Sequence, residues 1–152
     1  MIQGKWFAPG EDLSAEVLPV RKEVFGASGA ATDPEGWNAL VFLDDQPAAS
    51  GRIWWSDGAF WLGEIGVLPA LRGRRLGDLV LRLLLFKAQS HAAREVRLIC
   101  PEDTVGFFAR LGFAAVSRHA GAVEMILPGD EISLDSCASC KKQNCPNRAV
   151  AP

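Results

Sequence analysis

The segment from Val67 to Gly77, Val-Leu-Pro-Ala-Leu-Arg-Gly-Arg-Arg-Leu-Gly, constrains this chain more than any other stretch. It joins an apolar run typical of a strand to an apolar run typical of a helix. Gly73 and Gly77 allow tight turns because they lack a Cβ. Such a loop and the first turn of the helix leave N–H groups without partners at the positive end of the helix dipole. The segment therefore predicts an anion site suited to a pyrophosphate. Three side chains of the loop would add charge-assisted hydrogen bonds: Arg72, Arg74 and Arg75.

The segment is neither of the two commonest phosphate-binding loops. It contains no G-x-x-x-x-G-K-[ST] and no G-x-G-x-x-G, which argues against a P-loop nucleotidase and a Rossmann dinucleotide site. It resembles instead the acetyl-CoA loop of the GNAT-type N-acetyltransferase superfamily, V-x-P-x-x-[RQ]-G-x-G-x-[GA]. Arg75 stands where the family has its middle glycine. The matching positions are Val67, Pro69, Arg72, Gly73 and Gly77.

Two further stretches support the resemblance. The run from Phe107 to Phe113, Phe-Phe-Ala-Arg-Leu-Gly-Phe, resembles the family's F-Y-x-x-x-G-F, and Val20 to Phe25 resembles the first-helix R-x-x-V-F of many members. The likeness covers about residues 1–128, so it predicts a GNAT domain there and a cysteine-containing tail over residues 129–152. It implies an α/β (α+β) fold, with a mixed, largely antiparallel sheet of six to seven strands flanked by helices.

Local patterns predict the same architecture independently. Apolar alternation and turn residues predict strands at 40–43, 49–55, 59–67, 96–100, 113–117 and 123–127. Helices are predicted from a cap at Asp12 or Ser14 to about Phe25, and over about 76–93 and 104–111. Asp57-Gly58 and residues 119–121 are predicted hairpin turns. This order of elements indicates a mixed sheet with helices on its faces.

Length and composition are those of one ordinary globular domain. The chain has 152 residues, 49% of them hydrophobic and 22% charged. Its net charge of −2 argues against non-specific nucleic-acid binding. No apolar run reaches the ~18 residues of a membrane span, and no secretory h-region follows Met1. The sequence therefore predicts a cytoplasmic enzyme that acts on neither nucleic acid nor membrane.

The resemblance implies a function. An acetyl group would pass from acetyl-CoA to a primary amine of a small molecule or a protein, by direct attack in a ternary complex. The pantetheine arm of CoA would enter a gap between the fourth and fifth strands. The residues implied in CoA binding are Val67 and Leu68 through their backbones, Arg72, Gly73, Arg74, Arg75, Leu76 and Gly77 in the loop, and Phe107 and Phe108.

Glu64 is the predicted general base, because glutamates near this position act as bases or water-positioning groups in related enzymes. The apolar strand around it predicts a buried carboxylate; the alternative is an outward-facing strand carboxylate. The backbone N–H of Val67 is the expected donor to the oxyanion that develops during acyl transfer.

The general acid of the family pattern is missing from this chain. Phe108 occupies the position of the family's tyrosine, and the chain contains no tyrosine at all. Cys100 is a possible substitute acid, although a lone cysteine on a strand is more often a small buried hydrophobe. Direct departure of the thiolate, or its protonation by water or the product ammonium, is the other route. The absence of the family's tyrosine also leaves open a second function, a non-catalytic CoA-binding or metal- or redox-responsive regulatory module.

Three cysteines crowd into the tail as Cys137-x2-Cys140-x4-Cys145. In a chain without a secretion signal, clustered thiols indicate a reduced compartment and metal or redox chemistry. Zinc or an iron–sulfur cluster would accept these thiolates, but three ligands leave the shell incomplete. The fourth ligand would come from Cys100, His119, a small molecule or a second protomer, which would make a homodimer. A redox disulfide and a tail without fixed structure are the alternatives.

Overall fold

The computed structural model describes residues 1–27 and 29–134, and a single seven-stranded sheet forms its centre. The sheet order is β1-β2-β3-β4-β5-β7-β6, and every neighbouring pair is antiparallel except β4–β5, which is parallel. The predicted mixed, largely antiparallel sheet is confirmed. The strands are β1 (Ile2–Phe7), β2 (Gly36–Leu43), β3 (Gln46–Ser56), β4 (Ala59–Val67), β5 (Glu95–Pro101), β6 (Ala114–His119) and β7 (Ala122–Pro128).

Two helices cover opposite faces of the sheet. Helix α1 (Val17–Phe25) packs on one face, where Val17 and Val20 join a cluster with Leu40 of β2. Helix α2 (Leu76–Ser90) packs on the other face and forms the larger core with side chains of β2 to β5 and β7. A third helix, α3 (Val105–Ala109), has only five residues.

Helix α2 forms because its apolar residues recur at the helical period. Its buried side chains lie one turn apart along a single stripe, and four of the six are leucines, which are strong helix formers. This helix anchors the loop that precedes it against the sheet. The buried residues are Leu76, Val80, Leu81, Leu84, Leu85 and Ala88.

The strand β1 is absent from the sequence prediction. It pairs antiparallel with β2 at the edge of the sheet, and its first four residues are exposed, so no apolar alternation marks it. The start of α1 also differs from the prediction. Both the N–H and the Oγ of Ser14 bind Asp12 Oδ1, at 2.9 and 2.5 Å, in a turn before the helix. The helix itself begins three residues later, at Val17, without a side-chain cap.

The later helices are shorter than predicted, whereas the hairpin turns form where they are predicted. Helix α2 ends at Ser90, because Ala92 has φ +54 and leaves the helical region. Helix α3 ends at Ala109. Asp57 and Gly58 have φ values of +52 and +77, as a type I′ turn requires. The final hairpin likewise turns through positive φ at Ala120 and Gly121.

The segment that follows β7 lies along α2. Ile132 is buried in the larger core. Gln89 and Arg82 donate hydrogen bonds to the carbonyls of Ile132 and Leu134, at 3.5 and 3.4 Å. Within residues 1–27 and 29–134, no helix is long and apolar enough to cross a membrane.

Candidate functional site

Strands β4 and β5 separate at one end of the sheet. Their parallel ladder joins only three residue pairs and ends at Leu62 and Leu98. Beyond that point β4 continues beside β3 as far as Val67, while β5 continues beside β7 as far as Pro101. We call the space between the diverging ends the β4–β5 opening. It is the gap that the resemblance implies for the pantetheine arm.

The N–H of Val67 faces this opening. Leu68 donates its N–H to the Ala48 carbonyl of β3, at 2.9 Å, and successive amides of a strand point to opposite edges. The Val67 N–H therefore points away from β3. The Leu68 carbonyl accepts the N–H of Leu71 at 2.8 Å, so both backbone groups of Leu68 are used within the fold. Val67 thus supplies a donor at the opening, and Leu68 supplies none.

The loop between β4 and α2 has the conformation of an anion site. A single 3-10 turn, Pro69–Leu71, follows β4, and Gly73 then turns the chain at φ +85, as predicted. No side chain caps the N-terminus of α2, and the N–H groups of its first turn have no acceptor within the helix. The side chains of Arg72, Arg74 and Arg75 are all exposed around these amides.

Arg72 contacts the end of β4 that borders the opening. Its Nε donates to the Val67 carbonyl, with 3.2 Å between the two atoms. The contact holds the arginine side chain across the end of β4, next to the first turn of α2. Arg72 therefore links the loop to the strand that carries the Val67 donor.

Gly77 has a different role from the predicted tight turn. It lies inside the first turn of α2 and has no positive φ, so the predicted turn at this residue is wrong. A Cβ added here would lie 3.6 Å from Val67 Cγ2 and 3.6 Å from Phe107 Cζ, which is ordinary van der Waals contact. Gly77 is therefore the point where α2, β4 and α3 meet beside the opening.

The two phenylalanines of α3 face different ways. Phe107 is half-buried and lies beside Gly77, whereas Phe108 is 7% exposed and belongs to the larger core. The Phe108 ring packs edge-on against Phe107 and Phe113, with centroids 5.0 and 6.1 Å away. The structure thus brings Phe107 to the edge of the opening and turns Phe108 into the core.

Glu64 occupies a β-bulge. The β3–β4 register passes from Ser50 opposite Gly66 to Arg52 opposite Gly63, so β4 has one more residue here than β3. Glu64 has φ +52, the left-handed conformation of such a bulge.

The bulge overturns the predicted burial of Glu64. Leu62 points into the core, and regular alternation would turn Glu64 to the same face. The extra residue breaks that alternation and turns the carboxylate toward α1, where the side chain is 49% exposed. The carboxylate is therefore accessible from solvent.

The Glu64 carboxylate is tied to a buried polar network. Arg21 Nη2, on α1, lies 3.0 Å from Glu64 Oε2 and also donates to Asn38 Oδ1 on β2. Asn38 Nδ2 donates to Asp33 Oδ2 at 3.2 Å. Arg52 Nε and Nη2 donate to the two Asp33 oxygens at 2.5 and 3.0 Å. The network therefore links α1 to the three strands β2, β3 and β4, and to the segment that precedes β2.

Burial changes the pKa of Arg21 within this network. Desolvation lowers the pKa of Arg21 below its usual value, while the charges of Glu64 and Asp33 oppose that change. Arg21 has no predicted role beyond its place in the R-x-x-V-F stretch. Asp33, Asn38 and Arg52 have no local pattern that singles them out, because their partners come from distant parts of the chain.

A family model provides the deciding comparison. The model described as the acetyltransferase (GNAT) family matches residues 6–113. The chain belongs to the GNAT acetyltransferase family. The predicted family and GNAT fold are therefore confirmed, and the match supports an acyltransferase that uses an acyl-CoA.

Solved GNAT structures have the same fold at low sequence identity. An acyl-CoA N-acyltransferase from Pseudomonas aeruginosa is 18% identical with a TM-score of 0.69, over 83% of this chain and 99% of that one. The ribosomal-protein-S18-alanine N-acetyltransferase from Escherichia coli is 15% identical with a TM-score of 0.68, over 84% and 94%. The PaiA N-acetyltransferase from Thermoplasma acidophilum, in complex with coenzyme A, is 14% identical with a TM-score of 0.55, over 60% and 59%. A comparison with curated protein sequences finds no match.

Arg75 occupies a backbone conformation that favours glycine. Arg75 adopts φ +62 as the residue before α2, a conformation that glycine reaches without strain. We expect Arg75→Gly to raise the free energy of unfolding by about 0.5–1 kcal/mol. CoA binding should weaken several-fold, because one cation of the anion site is lost. Denaturant unfolding and calorimetry measure the two effects.

Arg75→Ala is the matched control for this prediction. Alanine removes the same charge but keeps the side-chain strain at positive φ. It should weaken CoA binding as Arg75→Gly does, without the gain in stability. Equal unfolding free energies for the two variants would contradict a strained Arg75.

The buried network also predicts acid sensitivity. Desolvation alone would raise the pKa of Asp33, but hydrogen bonds from Arg52 and Asn38, the charge of Arg52 and the Glu35 N–H together lower it from 3.8 to about 2. A carboxylate with a lowered folded-state pKa stabilises the protein above its unfolded pKa and loses that contribution as the pH falls through the folded one. We therefore expect Asp33 to contribute at most ~2.5 kcal/mol, lost between about pH 4 and pH 2.

Acid unfolding of Asp33→Asn tests this contribution. The variant should be less stable than the parent at neutral pH, and the difference should shrink as the pH falls from 4 to 2. A Glu102→Gln variant, whose carboxylate forms an exposed ion pair with Arg118, is the control and should follow the parent curve. A difference for Asp33→Asn that is constant down to pH 2 would contradict the prediction.

The side chain of Cys100 lies in the core, although the residue belongs to the end of β5 that borders the opening. It is 5% exposed, and its Sγ lies 3.8 Å from Met125 Sδ. This environment favours the alternative of a small buried hydrophobe over the role of a general acid. The predicted metal ligands of the tail, Cys137, Cys140 and Cys145, lie outside the described residues. Among residues 1–27 and 29–134, no group of three or more His, Cys, Asp and Glu side chains is arranged to hold a metal ion.

Proposed function

We propose that this GNAT protein transfers an acetyl group from acetyl-CoA to a primary amine by direct attack in a ternary complex. One observation carries the proposal. The β4–β5 opening has the uncapped N-terminus of α2 beside it, the Val67 N–H at its edge and the Glu64 carboxylate on the same strand. An anion site, an oxyanion donor and a proton acceptor are the groups that this reaction requires.

The CoA would bind along the opening. Its pyrophosphate would accept hydrogen bonds from the first-turn amides of α2 and from the exposed loop arginines Arg72, Arg74 and Arg75. Leu76 contributes its backbone, because its side chain is buried in the core. The pantetheine arm would extend between the diverging strands toward Val67 and Phe107. The complex of the similar PaiA protein with coenzyme A supports CoA as the ligand of this fold.

The chemical steps follow from these positions. Glu64 would take a proton from the acceptor ammonium, and the free amine would attack the thioester carbonyl. The Val67 N–H would donate a hydrogen bond to the oxyanion of the tetrahedral intermediate. Collapse of the intermediate breaks the C–S bond and releases the CoA thiolate. Phe108 cannot donate a proton, and Cys100 is buried, so we propose that water or the product ammonium protonates the thiolate.

The acceptor is a primary amine of a small molecule or a protein. The name of the similar Escherichia coli enzyme refers to an alanine of ribosomal protein S18, so proteins of this fold include one that acts on a protein. The half-exposed Glu64 is compatible with either acceptor, because the carboxylate is reached from solvent on the α1 face. A panel of free amines and peptides would identify the class.

Release of free CoA is the test of the proposal. Purified protein with acetyl-CoA and the amine panel should release CoA only when an acceptor is present, together with a product that has gained an acetyl group by mass. The second candidate is a CoA-binding regulatory module without catalysis, which the buried Phe108 in the acid position favours. CoA binding with no turnover on any acceptor would support that module and overturn the acetyltransferase.

A further inference from the structure

We propose that Arg21 is a positioning residue, whose buried guanidinium, anchored on Asn38, holds the Glu64 carboxylate in its catalytic orientation. The inference rests on the proposed function, in which Glu64 is the base. A single nitrogen, Arg21 Nη2, contacts both Asn38 Oδ1 and Glu64 Oε2. The arginine side chain is 7% exposed and the glutamate side chain is 49% exposed. The contact therefore joins a fixed, buried group to a half-exposed one.

The anchor of Arg21 is rigid. Asn38 is fully buried and is itself held by Asp33. Asp33 is in turn held by two hydrogen bonds from Arg52, which fix the plane of its carboxylate. The position of the Arg21 guanidinium is thus set by side chains from β2, β3 and the segment between α1 and β2.

Glu64 needs such an anchor because of the bulge. The pleat of a regular strand fixes the direction of each side chain, but the extra residue of a bulge is outside that pattern. Its positive φ turns the side chain toward α1, and half of the side chain is in solvent. The Arg21 contact is the ion pair that holds it there.

The contact between Arg21 and Glu64 carries a desolvation cost. Arg21 Nε is buried without a hydrogen-bond partner in the described part of the chain. Burying a guanidinium is costly, and apolar residues of similar size often replace buried ion pairs without loss of stability. Glu64, being half-exposed, would be rehydrated if Arg21 were removed. A contact that requires burial of a guanidinium and orients a proposed base is best explained by its effect on the reaction.

A double-mutant cycle between Arg21 and Glu64 tests the inference. Arg21→Met should lower kcat about tenfold or more, with little change in the Kd for CoA, and Arg21→Lys should recover part of the loss. In the Glu64→Gln background, Arg21→Met should cause no further loss, because the group it orients can no longer accept a proton. Arg97→Met is the control, since Arg97 pairs with Glu95 and Glu124 and does not contact Glu64.

The outcomes distinguish the inference from the function on which it rests. If Arg21→Met lowers kcat by the same factor in both backgrounds, Arg21 acts only on the fold and the inference is overturned. If Glu64→Gln retains full kcat, the base assignment fails, and the inference fails with it. Crystal structures provide an arm that needs no turnover. We expect one Glu64 conformer in the parent and several in Arg21→Met; one shared conformer in both proteins would overturn the inference whatever the activity.

Discussion

Glu64→Gln is expected to lower kcat for acetyl transfer by about a hundredfold, the typical contribution of a positioned general base. The amide keeps the size of the side chain and its place in the bulge, but it cannot take a proton from the acceptor ammonium. The Kd for CoA should stay the same, because Glu64 lies outside the loop and the first turn of α2. Steady-state kinetics and calorimetry on the same preparations measure the two quantities.

The pH dependence of that loss is a second sign of base catalysis. As the pH approaches the pKa of the acceptor amine, a growing fraction of the acceptor is already deprotonated, so the deficit of Glu64→Gln should shrink. Glu124→Gln is the matched control, because Glu124 is a partly exposed carboxylate that pairs with Arg97 and not with Arg21. Equal kcat values for Glu64→Gln and the parent would remove Glu64 from the mechanism.

Gly77→Glu is expected to weaken CoA binding by about a hundredfold, or ~2.7 kcal/mol. The new carboxylate would lie in the first turn of α2, where the pyrophosphate is proposed to bind, and like charges repel. The fold should tolerate the change. A Cβ at Gly77 meets only ordinary contacts, and an acidic residue is favourable in the first turn of a helix. Calorimetry with CoA measures the loss, and thermal unfolding checks the fold.

Two companion variants make the loop prediction sharper. Gly77→Ala adds the Cβ without the charge and should change the Kd for CoA by less than Gly77→Glu does. Arg72→Ala removes a loop cation and should weaken binding about tenfold, as the loss of one charge-assisted contact does. Unchanged affinity in both Gly77→Glu and Arg72→Ala would exclude the loop as the CoA site.

The parts of this molecule that the sequence predicted correctly depend on local chemistry. The turn at Gly73, the Asp57-Gly58 hairpin and the apolar stripe of α2 each follow from a few neighbouring residues. These features position the opening and the anion site. The family resemblance also assigned Val67 and the loop arginines to the CoA site, and the variants above test that assignment.

The features that escaped prediction depend on partners far away in the sequence. A bulge in β4 turns Glu64 out of the core. The bulge is defined by the pairing of β4 with β3 around Gly51, so no pattern within β4 reveals it. The Arg21–Asn38–Asp33–Arg52 network joins elements that only the folded sheet brings together. The edge strand β1 escaped because its exposed residues have no apolar alternation.

The short parallel ladder between β4 and β5 makes stability and ligand affinity competitors. The strands β1 to β4 form one half of the sheet, and β5 to β7 form the other; only three residue pairs join them directly. Every backbone group that would extend this seam is a group that a bound pantetheine could use instead. A variant whose parallel ladder extended beyond Leu62 and Leu98 would gain backbone hydrogen bonds, and its free energy of unfolding would rise. The same variant would close the β4–β5 opening to a pantetheine arm. The short ladder therefore leaves room for a ligand at the expense of sheet stability.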